Sequence, residues 1–186
     1  MAFTDSVGYL GTLVYLANHA YISLSARHSD RVYFAANMIA ALALVVTSAA
    51  LHSWQSMVTN LFWAGVSLRR LCGGSIYLPS GLQAWTRPIA AICLVLALAG
   101  LAIGFEVLLA SLAWISVVLF AGVYLLFAAD RLQKRQYLWL NVLAALLILP
   151  QLWLDTNYPV FLLESIWAIL SFVGAVRMPR TSAPIN

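Results

Sequence analysis

The hydrophobic positions of this chain fall into seven apolar segments separated by short polar turns. We predict helices over about 6–25, 32–51, 55–70, 88–105, 107–129, 137–153 and 159–176. An apolar segment of about 17 to 25 residues is long enough to cross a bilayer as a helix. The pattern therefore predicts an all-α integral membrane protein with seven transmembrane helices.

The longest apolar stretch covers residues 88–129 and is interrupted only by Gly100, Gly104 and Glu106. It is about twice as long as a single span, so we divide it into two helices at Glu106. The segment over 72–85 contains three glycines and a proline, a composition typical of a loop.

The basic residues test this division, because Lys and Arg collect at the cytoplasmic side of membrane helices. With seven helices, all ten basic residues fall on one side of the membrane. With one long helix over 88–129, they would divide five and five. The pattern favours seven helices, with the N-terminus outside and the C-terminus in the cytoplasm. The basic residues are Arg27, Arg31, Arg69, Arg70, Arg87, Arg131, Lys134, Arg135, Arg177 and Arg180.

One part of the chain occurs a second time, 104 residues later. Residues 27–68 align without a gap on residues 131–172, with 10 identities in 42 positions. Self-similarity at a fixed spacing indicates an internal repeat. The identical pairs include Arg31 and Arg135, Tyr33 and Tyr137, Asn37 and Asn141, Trp63 and Trp167, and Ser67 and Ser171.

The repeat predicts two parallel three-helix units joined by one linker helix, a 3+1+3 plan. An odd helix between the units restores their orientation, so a pseudo-twofold axis would run along the membrane normal. We predict a first repeat over 1–71, a cytoplasmic loop and linker helix over 72–105, a second repeat over 106–178 and a cytoplasmic tail over 179–186. In transporters with repeats, the substrate binds near the midplane where the repeats meet.

Composition excludes several classes of protein. With 63% hydrophobic and 9% charged residues, the chain is not a soluble domain. The net charge is +4, but the basic residues lie at segment ends, so nucleic acid is not an expected partner. Cys72 and Cys93 lack metal-ligand spacing. Because no nucleophile and base pair or phosphate-binding glycine loop is present, we expect neither an enzyme nor a cofactor.

Glu164 is the only acidic residue inside a predicted span, and Asn60 is its counterpart in the repeat. A charge at the middle of a membrane helix costs about 2.5 to 3.5 kcal/mol on insertion scales. Glu164 is therefore interpreted as a substrate-binding or proton-coupling carboxylate. The alternatives are a protonated or hydrogen-bonded Glu that holds helices together, and a contact with another membrane subunit.

The helix faces that carry Asn60 and Glu164 continue to Ser67 and Ser171 over small residues. Such a face either lines a cavity or allows close helix packing. Trp63 and Trp167 lie one turn deeper and are suited to stacking on a sugar ring or a nucleobase. The alternative is two ordinary core or lipid-facing tryptophans.

Asn37 and Asn141 each follow a tyrosine, Tyr33 or Tyr137, by one helical turn near the predicted cytoplasmic end. Hydrogen bonds between helices, worth about 0.6 kcal/mol in a membrane protein, are the simpler interpretation, and a cytoplasmic gate is the alternative.

Asn18 and His19 lie within the first predicted helix and have no polar counterparts in the repeat. They are candidates for lining the cavity, where a histidine can titrate near neutral pH.

The chain resembles the YgjV-type bacterial inner-membrane proteins, which are small seven-helix proteins of unassigned function. The resemblance is carried by Asn60 followed nine residues later by Arg69, and by Glu164-Ser165 followed thirteen residues after Glu164 by Arg177-Met178. The arginines that bound the loops also contribute to it.

The 3+1+3 plan is more distantly similar to the SWEET sugar transporters of the PQ-loop class and to the related nicotinamide-riboside carriers. In SWEETs, an Asn on the third helix of each repeat contacts substrate, which implies this role for Asn60. Glu164 departs from that pattern, so the resemblance implies a polar, cationic or proton-coupled solute rather than a sugar.

Two hypotheses follow. The first is a small-solute transporter in which Asn60, Trp63, Glu164 and Trp167 face one central water-accessible cavity. The second is a non-transporting accessory or assembly subunit in which Glu164 is sealed by its neighbours. The expected partners are the lipid bilayer and a small polar solute, and for the second hypothesis another membrane subunit or a second copy of the chain.

Overall fold

The computed structural model describes residues 2–24, 29–75 and 82–178, and seven α-helices account for most of them. They are α1 (Ala2–Leu24), α2 (Asp30–Ala50), α3 (Trp54–Leu71), α4 (Leu82–Ile103), α5 (Phe105–Ala128), α6 (Lys134–Leu154) and α7 (Tyr158–Arg177). The all-α fold and the seven helices are confirmed. By length and composition α2, α5, α6 and α7 are able to cross a membrane, and the apolar part of α4, Pro88–Ile103, is shorter. These helices are typical of a membrane protein.

The largest difference from the predicted boundaries is the start of α4. The helix begins at Leu82, within the predicted loop, and Pro88 lies inside it. The predicted start was the beginning of the apolar stretch at Pro88, and it lies six residues too late. A proline inside a helix removes one hydrogen bond, which membrane helices tolerate. The predicted end of the first helix, residues 76–81 of the loop and the tail lie outside the described residues.

The predicted division between the fourth and fifth helices is confirmed, but it lies at Gly104 and not at Glu106. Gly104 has a φ of 151°, a conformation that only glycine adopts without strain. A Cβ on Gly100 would lie 2.6 Å from the Cα of Leu108, so α4 and α5 are in close contact directly beside the break.

Six of the helices form a closed ring, and α4 lies outside it. Around the ring, α1 packs on α2, α2 on α3, α3 on α5, α5 on α6, α6 on α7 and α7 on α1, whereas α4 packs on α5. The contact between α1 and α2 depends on Gly11, because a Cβ there would lie 2.9 Å from the Cβ of Ala43. Small residues allow helices to approach closely in membrane proteins.

The turn between α2 and α3 has the same geometry as the turn between α6 and α7. His52 and Thr156, which are 104 residues apart, both have a φ of 54°. The N–H groups of Ser53 and Asn157 each donate to the carbonyl five residues earlier, at 2.9 and 3.0 Å. The two turns therefore have the same hydrogen bonds at the spacing of the sequence repeat.

Candidate central binding site

Five aromatic side chains fill the middle of the helix ring, and we call them the aromatic cluster: Tyr15, His19, Trp63, Phe120 and Trp167. Trp63 and Trp167 stack with ring centroids 5.4 Å apart and planes at 16°. Tyr15 meets both indoles edge-on at 5.2 and 5.9 Å, and His19 stacks on Trp167 at 3.6 Å. Phe120 lies 5.4 Å from Trp63. Since α3 and α7 are not neighbours in the ring, the two indoles meet across its interior.

Four buried polar atoms at this centre have no hydrogen-bond partner among the described residues. They are the hydroxyl of Tyr15, Oδ1 of Asn60, Nε1 of Trp63 and Oε2 of Glu164. Tyr15 and Glu164 also interact electrostatically. A buried polar group without a partner costs about 1 to 3 kcal/mol, and such groups are rare enough in native proteins to require an explanation. Here they come from α1, α3 and α7.

Asn60 uses its donor within its own helix and keeps its acceptor unpaired. Its Nδ2 lies 2.8 Å from the carbonyl of Ser56 and 3.3 Å from the Ser56 hydroxyl. The Ser56 and Ser48 hydroxyls are 2.9 Å apart, and Asn157 donates to Ser48 at 3.3 Å. These four side chains form a buried polar chain that runs from the α6–α7 turn to the centre.

The two equivalent turns are joined directly. The Ser53 hydroxyl donates to Oδ2 of Asp155 at 2.8 Å, and Gln151 donates to Oδ1 of the same carboxylate at 2.8 Å. These side chains connect the α2–α3 turn to the α6–α7 turn at this end of the helix ring.

The two serines predicted to line the site lie toward the other end of the helix ring. Each is hydrogen-bonded to an aromatic side chain from the other half of the chain. Asn37 donates to the Ser67 hydroxyl at 3.1 Å and to the Tyr124 hydroxyl at 3.0 Å. The Ser171 hydroxyl lies 2.8 Å from Nε2 of His19. The Ser67 and Tyr124 hydroxyls are 3.2 Å apart, so Ser67 bonds to α5, and the equivalent Ser171 bonds to α1.

The remaining predicted residues also join helices. Trp167 donates from Nε1 to Oδ1 of Asn141 at 3.0 Å, and Asn141 donates to the carbonyl of Tyr137 at 2.7 Å. Asn18 donates to the carbonyl of Tyr33 at 3.0 Å, and the side chains of Tyr33 and Tyr137 are hydrogen-bonded. These contacts agree with hydrogen bonding between helices; the cytoplasmic gate stays a prediction.

The structure brings Asn60, Trp63, Glu164 and Trp167 together at the centre. Each of these residues is at most 3% exposed. The predicted water-accessible cavity is not open in this conformation, because the two indoles occupy the space between the halves. A cavity lies elsewhere, between the start of α2 and the end of α3.

Sequence reasoning missed Tyr15, Phe120 and Tyr124. One signal was present for Tyr15, which precedes His19 by four residues and so lies one turn away on the same face of α1. The two aligned segments begin after α1 and after α5, so the repeat did not draw attention to residues on these helices.

A family model matches the chain over residues 4–74 and 109–182. The first segment contains α2, α3 and nearly all of α1, and the second contains α6, α7 and most of α5. The whole of α4 lies between the matched segments. No curated protein and no solved structure matches the chain.

Proposed function

This chain belongs to the uncharacterised family whose model matches it, and we propose that it is a small-solute transporter of a bacterial cytoplasmic membrane. Its polar site would lie between two three-helix repeats, α1–α3 and α5–α7, with α4 as the linker. Two observations support this arrangement: α1 packs on α7 as α3 packs on α5, and the family model matches both units.

The buried carboxylate of Glu164, whose Oε2 has no partner within the described chain, carries the proposal. A carboxylate in a membrane helix is costly and typically marks a functional site. The side chains of Asn37 and Asn141 are bonded to other helices, whereas Oε2 of Glu164 has no partner among the described residues.

The chemistry of these atoms indicates the kind of solute that would fit. Glu164 and Asn60 offer acceptor oxygens, and Trp63 offers one N–H donor. A polar solute rich in donors, including a cationic one, would satisfy these groups, and a proton on Glu164 would satisfy its carboxylate. The indole faces of Trp63 and Trp167 suit a flat apolar surface of the solute.

Transport requires a change from this conformation. A planar solute between Trp63 and Trp167 needs ring centroids about 7 Å apart, since carbon atoms in contact are about 3.5 Å apart, whereas the centroids are now 5.4 Å apart. The bonds of Asp155 at one end and of Tyr124 at the other correspond to an occluded state of an alternating-access protein.

The tight packing of the aromatic cluster favours a second candidate function. An interior filled by stacked rings is also expected of a non-transporting accessory or assembly subunit of a larger membrane complex. In that case Glu164 would have only a structural role in the bundle.

Thermal unfolding of the purified protein in detergent separates the two. Wild type, Asn60→Ala, Glu164→Gln and the control Glu106→Gln are melted with sugars, nucleosides, vitamins, amino acids and polyamines, at mildly acidic and at neutral pH. A solute at 100 times its Kd adds about 2.7 kcal/mol of stability. For a transporter we expect a shift with one class of solute that Asn60→Ala and Glu164→Gln abolish and Glu106→Gln keeps. No shift, with both central variants melting several degrees lower, supports the accessory subunit.

A further inference from the structure

A cavity of about 540 Å³ lies between the start of α2 and the end of α3. The charged side chains that line it are Asp30, Arg31 and Arg70, and Phe34 and Leu71 form part of its apolar wall. Two guanidinium groups and one carboxylate leave an excess of one positive charge. This cavity is separate from the aromatic cluster and has no part in the proposed transport site.

Arg70 is held in place at the wall of the cavity. Its Nη2 lies 3.2 Å from Oδ2 of Asp30, and its guanidinium carbon lies 5.2 Å above the ring centroid of Phe34. The carboxylate of Asp30 is therefore already paired, and a guanidinium has five N–H donors. Arg70 keeps donors for a further anion while its position is fixed.

Arg31 forms no hydrogen bond or ion pair within the described part of the chain. Its counterpart in the repeat, Arg135, donates from Nε to the carbonyl of Ala175 at 3.3 Å. Ala175 corresponds to Leu71, which lines the cavity. In the second half, the arginine therefore bonds to the protein's own backbone, whereas in the first half the equivalent arginine borders an open cavity.

We infer that this cavity binds a phosphate group through Arg31 and Arg70. Guanidinium groups form paired hydrogen bonds with phosphate oxygens. The cavity also adjoins the N-terminus of α2, where the N-cap residue Ser29 makes no side-chain capping bond, and a helix N-terminus favours an anion. The phosphate comes either from a phospholipid headgroup or from a soluble phosphate compound.

Exposed apolar side chains adjoin the cavity on both helices. Val32, next to Arg31, is 58% exposed, and Leu68, two residues before Arg70, is 53% exposed. In a membrane these side chains would face lipid tails, which would place the cavity at the level of the headgroups. Basic pockets between membrane helices are known to bind anionic headgroups.

The test measures thermal unfolding of the full chain in a neutral detergent at low ionic strength. Three probes are titrated separately: phosphatidylglycerol, phosphatidylcholine as the lipid without net charge, and inorganic phosphate. The variants are Arg31→Gln and, as the matched control, Arg135→Gln. Arg31→Gln is decisive because this side chain makes no hydrogen bond or ion pair with any residue that the structure describes.

We expect phosphatidylglycerol or inorganic phosphate to raise the melting temperature of wild type by several degrees, with an apparent Kd about ten times weaker in Arg31→Gln. Arg135→Gln should melt at a lower temperature but keep the response to the probe. A response to phosphatidylglycerol alone assigns the site to a lipid headgroup, and a response to inorganic phosphate assigns it to a soluble compound. No response to either anion, or an equal response in Arg31→Gln, overturns the inference.

Discussion

The indole rings of Trp63 and Trp167 stack across the helix ring at 5.4 Å, and among the described residues only one of their two N–H groups has a partner. Trp167 donates to Asn141, whereas Trp63 donates to no residue that the structure describes. The asparagine equivalent to Asn141 is Asn37, and it bonds instead to residues of α3 and α5. The two halves therefore differ in hydrogen bonding at their point of contact.

This difference predicts unequal effects of the same substitution. Trp167→Phe should destabilise the protein by about 1 kcal/mol more than Trp63→Phe, because it leaves Oδ1 of Asn141 buried without a donor. Trp63→Phe removes an N–H that has no partner among the described residues. Its only cost is that a phenyl ring buries less apolar area than an indole. Unfolding in mixed micelles, followed by tryptophan fluorescence, measures both variants. The opposite ranking would contradict the assigned hydrogen bonds.

Without ligand, Glu164→Gln is expected to keep the melting temperature of wild type or to raise it. Gln has nearly the same shape and removes an acid whose Oε2 has no partner among the described residues, so the variant avoids the cost of burying a charge. Glu164→Ala is the companion variant, and it should melt lower because it leaves a cavity. A large loss of stability in Glu164→Gln would show instead that the carboxylate holds the bundle together.

Gly11→Ala should destabilise the protein by about 1 to 3 kcal/mol, as expected for an overpacked contact. Its Cβ would lie 2.9 Å from the Cβ of Ala43 and 3.2 Å from the carbonyl of Ala40. Gly122→Ala is the matched control, because nothing lies within 4 Å of a Cβ there, and it should be neutral or slightly stabilising. Melting temperatures of the two variants test this, and equal losses would contradict the close packing of α1 on α2.

The hydrogen bond between Ser53 and Asp155 predicts a measurable coupling between the two turns. In a double-mutant cycle of Ser53→Ala and Asp155→Ala, the coupling free energy should be about 1 kcal/mol. The control cycle pairs Ser53→Ala with Asp130→Ala, since Asp130 lies at the α5–α6 turn. A coupling near zero in the first cycle would show that the turns are not joined.

The apolar segments and the positions of the basic residues were enough to predict the seven helices and the division beside Gly104. The repeat was enough to select Trp63 and Trp167, which the structure brings into contact. The repeat did not point to Tyr15 as a member of the centre, because its counterpart at the repeat spacing is Leu119. An aromatic ring that packs in one half alone leaves no repeated signal in the sequence.

The bonding of Asn60 also could not be read from the sequence. The repeat suggested that Asn60 faces Glu164 across the pseudo-twofold axis, but its amide donates to the carbonyl one turn earlier, at Ser56. Asparagine side chains readily bond to local backbone groups. Apolar periodicity does not show whether an asparagine bonds to its own helix or to a residue across the bundle. The same limit applies to Arg31 and Arg135, which are identical in sequence and differ in their contacts.

The position of α4 outside the helix ring has a consequence for how the protein is assembled. Most of its large apolar side chains from Ile89 to Ile103 are exposed, and its main packing partner is α5. A helix attached in this way acts as a tether that raises the effective concentration of one half near the other. Two separately translated halves, divided between α3 and α4, should therefore still associate in one bilayer, but only at a higher density of protein than the intact chain needs.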